Sequence, residues 1–173
     1  MSPSSRRPRP APILRLRDLA ALRRRLLRRR PRPRVVLANG LFDLLHVGHV
    51  RYLAGARALG DVLVVAVNDD RSARALRGPG RPIVGERDRG RIIASLRGVD
   101  AVILFGTRTV GPVLRALRPA VHCKGTDYTP DTVPERAIVL AYGGVVKVAG
   151  DAKRHATSAT LARLAGRARS CRR

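Results

Sequence analysis

Arg34-Val35-Val36-Leu37-Ala38-Asn39-Gly40-Leu41-Phe42-Asp43-Leu44-Leu45-His46-Val47-Gly48-His49 runs from an apolar, β-branched segment through a polar turn. The following residues 50–59 space their apolar side chains as a helix does. A strand over 34–38 and a helix beginning near Gly48 are therefore expected. Such a junction leaves the first N–H groups of the helix without intrahelical partners, above the carboxyl end of the strand. The positive end of the helix dipole adds to them, and together they favour an anion. His46 and His49, flanking Val47-Gly48, supply ring donors that can follow charge during phosphoryl or nucleotidyl chemistry.

Strands and helices alternate outward from this junction. Apolar runs predict strands over 62–67, 101–105, 120–124 and 145–148. Helical periodicity predicts helices over 48–58, 86–96, 110–117, 135–141 and 158–167, and the leucines at 16, 19, 22 and 26 mark one face of a further helix over 14–27. The uninterrupted apolar run Val62-Leu63-Val64-Val65-Ala66-Val67 suits a strand covered on both faces, which parallel sheets require. The fold expected is α/β, a single doubly wound, Rossmann-like parallel sheet, with ligands beyond the carboxyl ends of its strands. Residues 1–12, rich in Pro, Ser and Arg, read as a disordered basic arm. Residues 13–168 form the domain with its N-terminal helix, and 169–173 a basic tail.

Bulk properties narrow the function. The 173 residues are 45% hydrophobic, enough for one core, and no apolar stretch reaches the roughly 20 residues of a membrane helix. Cys123 and Cys171 give neither a disulfide framework nor metal-ligand spacing, so a reducing, cytoplasmic setting is expected. A net charge of +24 suggests nucleic acid. However, only Lys124, Lys147 and Lys153 among the 36 basic residues are lysines, and Tyr52, Tyr128, Tyr142, Phe42 and Phe105 are too scattered for a base-stacking platform. The arm reads as solvated, with no nucleic-acid partner expected. Contact of the Arg-faced N-terminal helix with an acidic membrane is permitted but not demanded.

Polar residues gather where strands end: Asn39 to His49, Asn68-Asp69-Asp70, Lys124-Gly125-Thr126-Asp127-Tyr128, and Thr157-Ser158-Ala159-Thr160 at the start of the last helix. In a doubly wound sheet these edges converge, and their donors, carboxylates and helix starts describe a site for a nucleotide with Mg²⁺. The motifs G-L-F-D-L-L-H-V-G-H, V-N-D-D, G-P-G-R-P, V-D-A-V-I-L-F and K-G-T-D-Y, in this order, resemble those of the cytidylyltransferase-like nucleotidyltransferases of H-x-G-H type. In particular they resemble the D-glycero-β-D-manno-heptose 1-phosphate adenylyltransferase domain of bacterial ADP-heptose synthases, over roughly residues 14–165.

The resemblance implies attack of a sugar 1-phosphate on the α-phosphorus of ATP, release of pyrophosphate and formation of ADP-heptose. His46 and His49 would bind the phosphates in the transition state, with Arg89 and Lys124 neutralising charge. Gly40, Leu41, Phe42, Gly48, Gly125 and Asp127 would border the nucleotide, and Thr157, Ser158 and Thr160 would hold its outer phosphates. Asp43, Asp70, Arg77 and Arg81 would meet the sugar phosphate, Asp43 or Asp70 also reaching the metal shell. Mg²⁺ or another divalent cation is implied as cofactor, with no residue assigned as its protein ligand, and a homo-oligomer, by default a dimer, is implied as well. The chain departs from the pattern at Ala159, where the heptose enzymes usually carry a hydroxyl, and at Arg77, where they carry lysine. Two alternatives stay open: a cytidylyltransferase using CTP and glycerol 3-phosphate or a similar alcohol phosphate, and a nucleic-acid-binding module working through the basic arm.

Overall fold

A computed structural model describes residues 10–150. The expected helix over 158–167, the first nine residues of the arm and the basic tail lie outside the described residues. Six strands form one wholly parallel sheet: β1 (Ile13–Arg15), β2 (Val35–Gly40), β3 (Val62–Asn68), β4 (Ala101–Phe105), β5 (Val121–Lys124) and β6 (Val145–Val148). Their order is β1-β4-β3-β2-β5-β6. The chain therefore moves outward from β2 through β3 to β4, then returns to the other side of β2. Between β2 and β5 the winding reverses, and a doubly wound sheet opens its ligand crevice at such a point.

All seven residues of β3 are buried, as its apolar run required. Alternate side chains enter two cores. Leu37, Val64, Ala66, Ile103 and Phe105 meet α1 (Leu19–Leu27) and α5 (Gly111–Leu117) on one face. Val36, Ala38, Leu63, Val65, Val67 and Cys123 meet α2 (Val47–Arg57) and α4 (Glu86–Ala94) on the other. Each fully buried Leu, Ile or Val contributes about 1.5–3 kcal/mol against exposure. Helix α6 (Arg136–Ala141) covers the first face beside β6, with Val139 in its core.

Two elements differ from expectation. The helix expected over 14–27 starts at Leu19; Ile13–Arg15 instead pairs with Val102–Leu104 as an edge strand, followed by a 3₁₀ turn over Leu16–Asp18. Competition for the open edge of β4 outweighs the leucine periodicity. The Asp18 carboxylate accepts the Arg15 N–H at 2.8 Å, which ends the strand where the helical turns begin. Leu19, Leu22 and Leu26 are buried as their spacing indicated. A further helix, α3 (Asp70–Arg77), follows β3 where only a polar strand end was anticipated. Asp69 caps it, accepting the Ser72 N–H at 2.7 Å.

Gly60 makes a close approach essential. A Cβ there would collide with the carbonyl oxygen of Arg34 and stand 2.8 Å from Val36 Cγ2. Gly60→Ala is expected to lower the unfolding free energy by about 1–3 kcal/mol in urea titration; an unchanged midpoint would contradict this packing.

Candidate active site

The crevice begins at the carboxyl end of β2. Helix α2 starts at Val47 with His46 in extended conformation as its N-cap, so its first turn holds Val47, Gly48 and His49. The two imidazoles stack with centroids 3.9 Å apart and planes at 26°. The His46 backbone N–H donates to His49 Nδ1 at 3.4 Å. An Nδ1 that accepts is bare, so the neutral ring of His49 carries its proton on Nε2. Burial, followed by the neighbouring His46, lowers the His49 pKa to about 4. His49 is thus a neutral donor at physiological pH.

Phe42 fixes the outer side of this pair. Its φ of 51° is left-handed, an uncommon conformation for a bulky residue, and it is only 4% exposed. The ring meets His49 edge-on at 5.2 Å and stacks on Tyr52 at 6.4 Å. A Cβ on Gly40 would approach that ring to 3.1 Å, which explains a glycine ahead of it. Tyr52 reaches under the junction: its hydroxyl donates to the Cys123 carbonyl at 2.7 Å and accepts the Asn39 N–H at 3.2 Å. The strand end and the first turn of α2 are therefore locked to β5.

Two charged clusters shape the rim. Asp43 is 8% exposed, and its Oδ1 accepts the N–H groups of Ile83 and Val84 at 2.7 and 3.0 Å while its Oδ2 pairs with Arg81. Burial pushes the Asp43 carboxyl up, but the bonds from Val84, Arg81 and Ile83 outweigh it and hold the pKa below the usual range. Arg89 is 1% exposed; its guanidinium donates to the carbonyls of Val84 (2.8 Å) and Leu41 (2.6 Å) and to Asp70 Oδ1 (2.7 Å). Asp70 in turn donates its N–H to Glu86 at 3.0 Å.

These contacts alter four expectations. Arg89 sits beneath the rim as a strut, enclosed and bonded to protein, instead of facing phosphate. Asp43 is a staple for residues 81–84 with both oxygens committed, not an open ligand for sugar or metal. Arg81 is spent in part on Asp43, and Arg77 lies exposed at the end of α3. Asp70 keeps its place at the rim, with 39% of its side chain exposed.

On the other side of the switch point, Lys124 ends β5 at 9% exposure. Its Nζ lies 3.4 Å from Asn39 Oδ1 and 4.6 Å from the centroid of the Tyr128 ring. Burial lowers the Lys124 pKa, opposed by the charge of Glu135. Gly125 and the exposed Asp127 follow in the turn closed by the Tyr128 N–H to the Gly125 carbonyl at 3.2 Å. Lys124 and the Gly125–Asp127 turn thus leave the carboxyl end of β5, beside the end of β2 from which the chain leads to His46, Gly48 and His49. Thr157, Ser158 and Thr160 lie outside the described residues.

Sequence reasoning included Asn39 only as the start of a polar stretch and assigned no role to Glu135 or His122. His122 is fully buried beneath Lys124, and its Nε2 meets Asn39 Oδ1 at 3.1 Å. Two-residue alternation along β5 places His122 and Lys124 on one face, and the parallel register with β2 aligns that face with Leu37 and Asn39. That register was the missing signal.

The family model described as Cytidylyltransferase-like matches residues 37–164. The chain is 48% identical over 132 residues to the bifunctional protein HldE of Methylobacillus flagellatus, covering 76% of this chain and 27% of that protein. With HldE of Koribacter versatilis the identity is 50% over 120 residues, covering 69% and 25%. The chain thus spans about a quarter of these relatives' length. Among solved structures, the lipopolysaccharide core biosynthesis protein of Thermoplasma volcanium is 32% identical with a TM-score of 0.57, covering 67% of this chain and 93% of that one. Pantothenate synthetase of Thermus thermophilus, at 18% identity and TM-score 0.58 over 80% of this chain and 60% of its own, shares the fold.

Two outcomes are expected from these contacts. Arg89→Met leaves the carbonyls of Leu41 and Val84 without their donor, and a loss of about 3–5 kcal/mol in denaturant unfolding is expected. Acid should also destabilise the fold through its buried histidines. Burial and then Lys124 bring the His122 pKa to about 3, alongside about 4 for His49. The unfolded chain then binds these protons first, so their stabilisation is complete above pH 6.5 and is lost as pH falls toward 4 and 3. Melting curves of His122→Gln should show a shallower fall over that window than the parent; equal slopes would contradict it.

Proposed function

We propose that this chain, which belongs to the cytidylyltransferase-like family, transfers AMP from ATP to a sugar 1-phosphate, D-glycero-D-manno-heptose 1-phosphate, releasing pyrophosphate and forming ADP-heptose. The observation that carries the reading is the stacked imidazole pair at the start of α2, above the carboxyl end of β2, with His49 held neutral by burial. Its donors and the N–H groups of Val47 and Gly48 point to an anion whose charge shifts during reaction. The motif resemblance to the heptose enzymes and the high identity to HldE proteins support the choice of acceptor and nucleotide.

In this reading a phosphate oxygen of the sugar 1-phosphate attacks the α-phosphorus. A new P–O bond forms as the bond between the α-phosphorus and the bridging oxygen breaks, and pyrophosphate carries away the electron pair. Such a transfer needs positioning and charge stabilisation more than covalent help. His49 donates its Nε2–H to a phosphate oxygen, and its neutrality avoids the cost of burying a charge there. Lys124 supplies the positive charge on the far side of the crevice. Arg89 acts at one remove, holding Leu41 and Asp70 in register with the imidazoles.

Protein groups for a caged divalent ion are a poor fit. Asp43 has committed both oxygens, and among the described residues no three His, Cys, Asp or Glu side chains cluster as ligands. Mg²⁺ is accordingly assigned to the substrate, entering on the triphosphate as MgATP.

Pyrophosphate release should be measured with ATP or CTP against heptose 1-phosphate or glycerol 3-phosphate. Turnover is expected with ATP and heptose 1-phosphate; turnover only with CTP and glycerol 3-phosphate would replace this reading by a cytidylyltransferase. His49→Ala is expected to lower kcat by about 10²–10³ while retaining the parent's far-UV spectrum. Normal turnover by that variant would remove the imidazole pair from the mechanism.

A further inference from the structure

We infer that His122 is a positioning residue for the nucleotide site, acting through Asn39. The inference rests on the nucleotidyltransferase reading and extends it to a residue that touches no substrate. Lys124 Nζ and His122 Nε2 both approach Asn39 Oδ1, at 3.4 and 3.1 Å. An ammonium group can only donate, so the atom facing it must be the amide oxygen and not its nitrogen. The same oxygen faces His122, whose Nε2 must then carry a hydrogen and donate it. His122 is therefore the neutral Nε2–H tautomer, in keeping with a pKa near 3 from burial and Lys124. Its Nδ1 is bare, buried and without a hydrogen-bond partner.

Two donors on one oxygen fix the plane of the Asn39 carboxamide. Its Nδ2 hydrogens are then turned away from His122 and Lys124, at the carboxyl end of β2 where the crevice opens. Asn39 is half-buried, unlike the enclosed His122. A donor held in that orientation meets a phosphate oxygen of the bound nucleotide, one residue before the G-L-F-D turn. Lys124 alone would pin the amide loosely, because its contact is long and its ammonium also lies over the Tyr128 ring. The buried imidazole supplies the second anchor, and a neutral one leaves the ammonium as the local charge.

The test compares His122→Leu, His122→Gln, Asn39→Ala and the double variant Asn39→Ala/His122→Leu. ATP affinity is read by calorimetry and turnover by pyrophosphate release, with melting curves for each protein. His122→Leu is expected to lower kcat/KM for ATP about tenfold, the scale of one hydrogen bond. His122→Gln, whose side-chain N–H can still donate to Asn39, should recover most of that loss. In the Asn39→Ala background, His122→Leu should cost nothing further, since the route it acts through is gone.

Parent-like kinetics in His122→Leu would overturn the assignment. So would a glutamine variant as poor as the leucine one, or an undiminished loss in the Asn39→Ala background, since each leaves only a structural role. Absence of ATP binding and turnover in the parent would instead overturn the nucleotide reading itself, and the inference with it.

Discussion

Under the rim of the crevice, the guanidinium of Arg89 holds together three segments that the chain order keeps apart: the turn after β2, the start of α3 and the approach to α4. Burying such a charge is costly unless it is paired and hydrogen-bonded, and the carbonyls of Leu41 and Val84 with the carboxylate of Asp70 meet that condition. The planar fork makes this possible; a lysine ammonium in its place would present no such fixed set of directions. Asp43 complements it from the opposite sign, gathering Arg81 and the N–H groups of Ile83 and Val84. The imidazoles of α2 thus stand on a rim already braced by two buried charges, each satisfied within the protein.

This bracing explains which parts of the site could be read from the chain. The strand-turn-helix junction at 34–49 and the buried run of β3 follow from period and composition, which are local properties. The histidine pair follows as well, because its spacing around Gly48 is set within one helical turn. The surroundings of Arg89 and Asp43 were not legible for a different reason: an arginine or aspartate near a crevice reads the same whether it faces ligand or protein, and only the fold shows where its partners stand. His122 was obscured in the opposite sense. Its companions, Asn39 and Lys124, come from two strands, and their adjacency arises from a register that no single segment encodes.

Net charge had even less to say about the site. Of the 24 excess positive charges, those that shape the crevice are few, and the guanidiniums of Arg89 and Arg81 are neutralised locally by Asp70 and Asp43. In the proposed mechanism the working donors are instead groups kept uncharged by burial, His49 directly and His122 through Asn39. On that reading a strongly basic protein presents neutral donors at its crevice, with a partly desolvated lysine beside them.

Strand β1 occupies only three residues, yet its position matters beyond the core. Without it, β4 would present Ala101-Val102-Ile103-Leu104-Phe105, an entirely apolar segment, along an open edge. Unprotected edges of that composition template pairing between molecules, and a short, twisted, charge-flanked strand blunts them. By pairing with Val102–Leu104, Ile13–Arg15 covers that apolar edge and leaves the arginine-bearing β1 as the outer strand, at the end of the sheet remote from β5 and β6.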